Sequence, residues 1–343
     1  MAKILLIDVD SVMPNLALMK LSAYHKALGD EVYLAGHKIM SVANYLTQPD
    51  KVYASIVFSH NYNEGLKLKQ AYPKAEIGGT GWDLTKTLPD EIEHIKPDYD
   101  LYTDIRDNYL NRCGTGTKAM AQPVSMGFTT RGCCRNCPFC LVVQKEGNKI
   151  TPWSDVDEFY DERFDKIILL DNNFLGAPTS HWCKVLKRFI ELKVKIDFCQ
   201  GLDIRFMTNE KAQLLSHIRF DAGRGRQLRF AWDSMAVEPF VDRGIKMLFE
   251  AGLKPINLFF YILVGFDTTF EEDKYRAEKL IKLGASPFLM LYRNPASKAR
   301  EQHDPIKKAY AAYINRRKYT FVKFENSREY QRALNIKEIR RLI

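Results

Sequence analysis

At 343 residues the chain is too long for one simple core, and its 46% hydrophobic and 27% charged residues exclude a disordered or fibrous protein. No run approaches the roughly 18 apolar residues that a membrane span requires. Its net charge of +9 is uneven, because residues 295–343 hold thirteen Lys plus Arg against five Asp plus Glu.

The opening MAKILLIDVD lacks the apolar h-region and small-residue cleavage site of a secretory leader and reads as a buried strand. KILLIDVD (3–10), EVYLAG (31–36), VYASIVFS (52–59) and AEIGG (75–79) read as strands. NLALMKLSAYHKALG (15–29) has apolar residues at helical spacing and a terminal glycine stop. Strands alternating with helices imply a parallel sheet with right-handed crossovers. Residues 1–105 therefore predict a doubly wound, Rossmann-like domain with any ligand at the carboxyl ends of its strands.

A linker over 106–123, containing TGTKAMAQP, leads into a second series. VSMGFTT (124–130), KIILLDN (166–172), KIDFCQGL (195–202), QLRFAWD (227–233), NLFFYILVG (257–265) and PFLMLYR (287–293) read as strands. Helical stretches at 181–192, 209–217, 239–251 and 270–283 separate most of them. Six βα units over 124–294 fall short of the eight that close a barrel and predict a partial one. The fold class is thus α/β, with a basic, mostly helical extension over 295–343. That extension suits a nucleic-acid partner or another polyanion; the alternative is a solvated helical surface with aromatics buried on one face.

Between the first two strands of the second series lies TTRGCCRNCPFC (129–140), with four of the seven cysteines. An odd cysteine count without a leader argues for reduced thiols in a cytoplasmic protein. The spacing is Cys133-x3-Cys137-x2-Cys140, with Cys134 as an extra neighbour. Structural zinc sites usually pair two knuckles, and Cys113, Cys183 and Cys199 are too scattered to form the second. A redox pair at Cys137 and Cys140 leaves Cys133 unexplained. Three thiolates can instead hold three irons of a 4Fe–4S cube and leave the fourth open to another ligand.

C-x3-C-x-φ-C, with Phe139 before the last cysteine, resembles the signature of radical S-adenosylmethionine (SAM) enzymes. The preceding TRG resembles the subgroup that carries a cobalamin-binding-like domain or performs methylthiolation. The resemblance implies that the open iron chelates SAM and that an electron from an external flavodoxin- or ferredoxin-type donor cleaves it. The resulting 5′-deoxyadenosyl radical then abstracts hydrogen from a substrate. It further implies Phe139 near adenine and Asp171 and Asn173, in LLDNNFLG (169–176), near the SAM amino end. Gln200, Asp203 and Arg205, in QGLDIRFMT (200–208), are implied SAM or substrate contacts, and Asp233 and Ser234 in FAWDSM (230–235) SAM contacts. Gly265, in YILVGFDTTFEE (261–272), and Leu291 are implied at the adenine wall. The same residues also read as turns, helix caps, a buried ion pair and a hydrophobic strand.

The N-terminal KILLIDVD, AEIGGTGW and PDYDLY resemble cobalamin-binding domains fused to such barrels. The D-x-H-x-x-G pattern that supplies a cobalt ligand and its orienting aspartate is missing. A scaffold or substrate-binding part is therefore the expectation ahead of cobalamin. Methylthiolation needs a second cluster held by N-terminal cysteines, and none precedes Cys113. The expected function is hydrogen abstraction from an unidentified substrate, nucleobases and nucleic acids included. The alternatives are a nucleic-acid-binding protein with a structural cluster and a cobalamin-dependent methyltransferase.

Overall fold

The computed structural model describes residues 1–11, 13–35, 48–103, 124–221, 227–294 and 303–342. The expected linker over 106–123, with Cys113, lies outside the described residues, as do Gly36 and 295–302. The described chain is a mixed α/β protein with parallel sheets.

Strands β1 (Lys3–Asp8), β2 (Glu31–Ala35), β3 (Lys51–Ser55) and β4 (Glu76–Gly78) form one sheet in the order β2-β1-β3-β4, parallel throughout. β1 is buried on both faces, which explains its unbroken apolar run. Because successive side chains alternate, Ile4 and Leu6 pack against Leu18 and Leu21 of helix α1 (Leu16–Ala27). Leu5 and Ile7 pack on the other face with Leu68 of α2 (Tyr62–Ala71). Asn15 caps α1 by accepting from the Leu18 amide at 3.2 Å. The third strand stops before the expected SIVFS segment ends, because the Val57 and Phe58 amides turn to the Asp10 carboxylate, at 2.7 and 2.9 Å.

After the short helix α3 (Asp90–Glu93), the chain builds β5 (Ser125–Gly127), β6 (Thr130–Arg131), α4 (Val142–Glu146), β7 (Thr151–Pro152), α5 (Val156–Phe159) and β8 (Lys166–Leu169). Then follow α6 (Thr179–Leu192), β9 (Lys195–Phe198), α7 (Asn209–Ser216), β10 (Arg219–Phe220), β11 (Leu228–Ala231), α8 (Glu238–Glu250), β12 (Leu258–Val264), α9 (Phe270–Lys282) and β13 (Ser286–Leu291). One parallel sheet runs β10-β9-β8-β5 and another β11-β12-β13, joined by a single bridge between Leu202 and Phe230. All six expected strand positions are occupied. The sequence reading missed β10 at one edge, and it merged β5 with β6, which is a separate hairpin paired antiparallel to β7.

Alternate residues of these strands bury one large core with the helices, including Ile167, Ile196, Phe230, Phe260 and Leu289. Opposite faces of β5 and β8 supply Met126 and Ile168 to a shared cluster with Met19, Tyr99 and Tyr102. Tyr99 Oη accepts from the Met126 amide at 2.9 Å and donates to the Phe159 carbonyl at 2.6 Å. The first sheet unit is thereby joined to the second by buried contact. α10 (Pro305–Asn315) and α11 (Arg328–Leu342) close the chain. Asn315 bonds both the amide and the carbonyl of Leu289, at 2.8 and 2.9 Å, and so satisfies the outer edge of β13.

Candidate metal and cofactor site

The cysteine loop hangs from the β6–β7 hairpin. Gly132 opens it at φ +80°, and a Cβ there would lie 2.0 Å from the Lys149 carbonyl oxygen, so only glycine fits. Glu146 fastens the loop shut: it takes the Gly132 amide at 3.0 Å, Arg131 Nη1 at 3.1 Å and Asn172 Nδ2 at 2.7 Å. Arg131 also pairs with Glu93 of α3, and Lys145 reaches Thr80 at 3.1 Å, so the first unit holds the loop from outside. Asp171, only 4% exposed, anchors the loop's root. The Thr129 amide and the Thr129 and Thr130 hydroxyls all donate to it, each at 2.7 Å. Burial pushes its carboxyl up to about 6, against those three bonds. Both carboxylate oxygens thus hold the root of the loop in place.

Within the loop Cys133, Cys137 and Cys140 are half-buried and Cys134 is exposed; none forms a disulfide. The Arg135 amide and Asn173 Nδ2 each approach Cys133 Sγ at 3.4 Å. Burial pushes the Cys137 and Cys140 thiols up, opposed at Cys137 by the nearby Arg205 guanidinium. Among the described residues, no three His, Cys, Asp or Glu converge as they would on a single metal ion. A 4Fe–4S cube takes one thiolate on each of three separate irons, so its ligands need not meet at a point. Three thiols in one loop are the number such a cube would need. Asn173 is 2% exposed and its Oδ1 has no hydrogen-bond partner, a buried acceptor beside these thiols.

The other implied residues stand beyond the carboxyl ends of the parallel strands. Past β9, Asp203 grips Arg205 with two bonds, Nε–Oδ1 2.6 Å and Nη2–Oδ2 2.9 Å, and takes Arg135 Nε at 3.0 Å. Burial pushes the Asp203 carboxyl up, but the two guanidiniums outweigh it and hold it below the usual carboxylate range. Past β11, Asp233 is raised by burial against the opposing pull of Arg276 and Arg205. Arg205 and Asp233 both act electrostatically on Cys137. The fold thus brings Asn173, Asp203, Arg205 and Asp233 to the cysteine loop. Gln200 stands exposed on its turn, and the Ser234 carbonyl caps the Trp232 indole at 3.0 Å.

Past β12, Gly265 takes φ +78° and carries the chain to Phe266. The Phe139 ring meets Phe266 edge-on at 5.3 Å, and Phe266 meets Tyr292 at 4.7 Å, one residue beyond Leu291. An aromatic chain thereby ties the last cysteine of the loop to the ends of β12 and β13.

No model of a known protein family matches the chain, and no curated protein matches it. The site therefore rests on its own geometry. Sequence reading overlooked Arg135, although it lies between two of the cysteines; a lone arginine in a cysteine loop reads as solvated. It also overlooked Glu146, since nothing in its spacing marks it as a clip. Arg276 went unnoticed for the same reason: it is fully buried on α9, pairs with Asp273 and donates to the Trp232 and Leu263 carbonyls, so it fixes the strand ends that bear Asp233.

Proposed function

We propose that the chain is a radical SAM enzyme, built from a Rossmann-like unit over 1–105, a partial (β/α)6 barrel over 124–294 and a basic extension over 295–343. The observation that carries this reading is the meeting of a three-thiol loop with Asn173, Arg205 and Asp233 beyond the carboxyl ends of parallel strands, where folds of this class hold their chemistry. Cys133, Cys137 and Cys140 would hold three irons of a 4Fe–4S cluster, leaving Cys134 outside the set.

When bound, that cluster supplies the electron that splits SAM into methionine and a 5′-deoxyadenosyl radical. The protein's own work is to orient and to exclude water. The Asn173 amide, 3.4 Å from Cys133 Sγ, would orient that ligand. Arg205 and Asp233 offer opposite charges to the zwitterionic methionyl end. Phe139, Phe266 and Tyr292 offer an apolar wall to a flat ring. The substrate is unidentified, and the electron comes from an external flavodoxin- or ferredoxin-type donor.

Anaerobic reconstitution with iron and sulfide tests the reading. The cluster should load, and its reduced-state electron paramagnetic resonance spectrum should change on adding SAM. A spectrum indifferent to SAM would leave only a structural cluster.

A further inference from the structure

The turn between α10 and α11 carries Arg316, Arg317, Lys318 and Lys323 against one acidic residue, Glu325. In its middle Phe321 stands 87% exposed. The turn is nonetheless well held. Phe324, three residues on, is buried against Tyr310, Tyr313 and Tyr330, with ring centroids 4.9 to 5.3 Å away. Tyr313 Oη donates to the Val322 carbonyl at 2.6 Å, and Arg317 adopts the left-handed region at φ +56°. One phenylalanine is therefore anchored while its neighbour is presented outward on a fixed backbone. Lys318 and Lys323 are exposed and have no ion-pair partner among the described residues; Arg316 has only Glu329, at 3.4 Å. Exposed Arg328 and Arg332 continue the charge along the first turns of α11.

We propose that this turn docks single-stranded nucleic acid, with Phe321 stacking on a base and the surrounding cations following the phosphates. An outward ring among exposed cations is the combination that sequence-tolerant single-strand binders use. A membrane surface is less well matched, because anchoring there needs an apolar face and the turn offers one ring.

The site is separate from the cysteine loop. Lys307, near the start of α10, approaches Gly265 at the carboxyl end of β12, since a Cβ there would sit 3.3 Å from its Nζ. At the other end of α10, Arg317 Nη2 bonds Ser286 Oγ at 2.9 Å, at the start of β13. The helix runs back along the sheet for eleven residues, about 16 Å. The turn therefore lies at the amino ends of the strands and acts as a tether remote from the chemistry.

The test is fluorescence anisotropy of the full chain with labelled 20-nucleotide oligo(dT) and oligo(U) over a range of salt concentrations. Phe321→Ala should weaken binding by about 5- to 150-fold with the salt slope unchanged. Lys318→Ala combined with Lys323→Ala should lower the slope of log affinity against log salt by about 1.4, about 0.7 for each phosphate no longer neutralised. Both variants should cleave SAM, if the wild type does, at the wild-type rate. Failure of SAM cleavage leaves the docking proposal standing. Absence of oligonucleotide binding, binding indifferent to Phe321, an unchanged slope in the lysine variant, or stronger binding to anionic vesicles of phosphatidylserine and phosphatidylcholine would overturn it.

Discussion

Asp171 sits at the root of the cysteine loop and provides a pH signature of the fold. Its carboxyl is raised to about 6 by burial, from the roughly 3.9 of an unfolded chain. Between those values the folded state keeps a proton that the unfolded state has released, so stability falls as pH rises through the interval. Two pH units at about 1.4 kcal/mol each give about 3 kcal/mol, fully present below pH 4 and lost by pH 7. Asp171→Asn removes this titration while preserving the shape of the side chain. Urea unfolding of the metal-free wild type and variant, measured from pH 4 to 7, isolates the effect by difference. The wild type should lose about 3 kcal/mol relative to the variant as pH rises. A difference that stays flat, or that grows with pH, would show that the three hydrogen bonds outweigh burial and would refute the reasoning.

Gly132→Ala places a Cβ against the Lys149 carbonyl in a left-handed conformation, and should cost more than about 2 kcal/mol and abolish cluster loading, as read by urea unfolding and iron content. Arg276→Met leaves the fully buried Asp273 with the Thr268 hydroxyl but without its ion-pair partner and should destabilise by about 3–5 kcal/mol in the same unfolding assay. Replacing Cys133, Cys137 or Cys140 with alanine should each remove the brown chromophore of the reconstituted protein, whereas Cys134→Ala should retain it; equal loss in all four would discard the three-ligand assignment.

Most of the strand positions were legible because strands of a parallel sheet, buried on both faces as in KILLID or on one face with the other half-buried as in LFFYILV, leave unbroken apolar runs. Strand ends were not, because they are decided by single side chains that capture backbone groups: Asp10 takes the Val57 and Phe58 amides, and Asp171 takes Thr129. The two-residue strands β6, β7 and β10 carry too few residues to show any period. In the candidate site the cysteine spacing was readable directly, since the thiols are near neighbours in the chain. The Arg135–Asp203 bond joins positions 68 residues apart, and the Arg276 contacts to strand carbonyls depend on packing, so neither leaves a local pattern. Asp171 was found from its motif, but its engagement with Thr129 and Thr130 emerges only from the fold.

The central claim is that the three-thiol loop starts radical chemistry on SAM. Its most direct test is anaerobic turnover of the reconstituted protein with SAM and dithionite, followed by chromatography of the products. The wild type should release 5′-deoxyadenosine and methionine in equal amounts, and Cys133→Ala should release neither. A fully loaded wild-type protein that yields no 5′-deoxyadenosine above the protein-free background would contradict the claim.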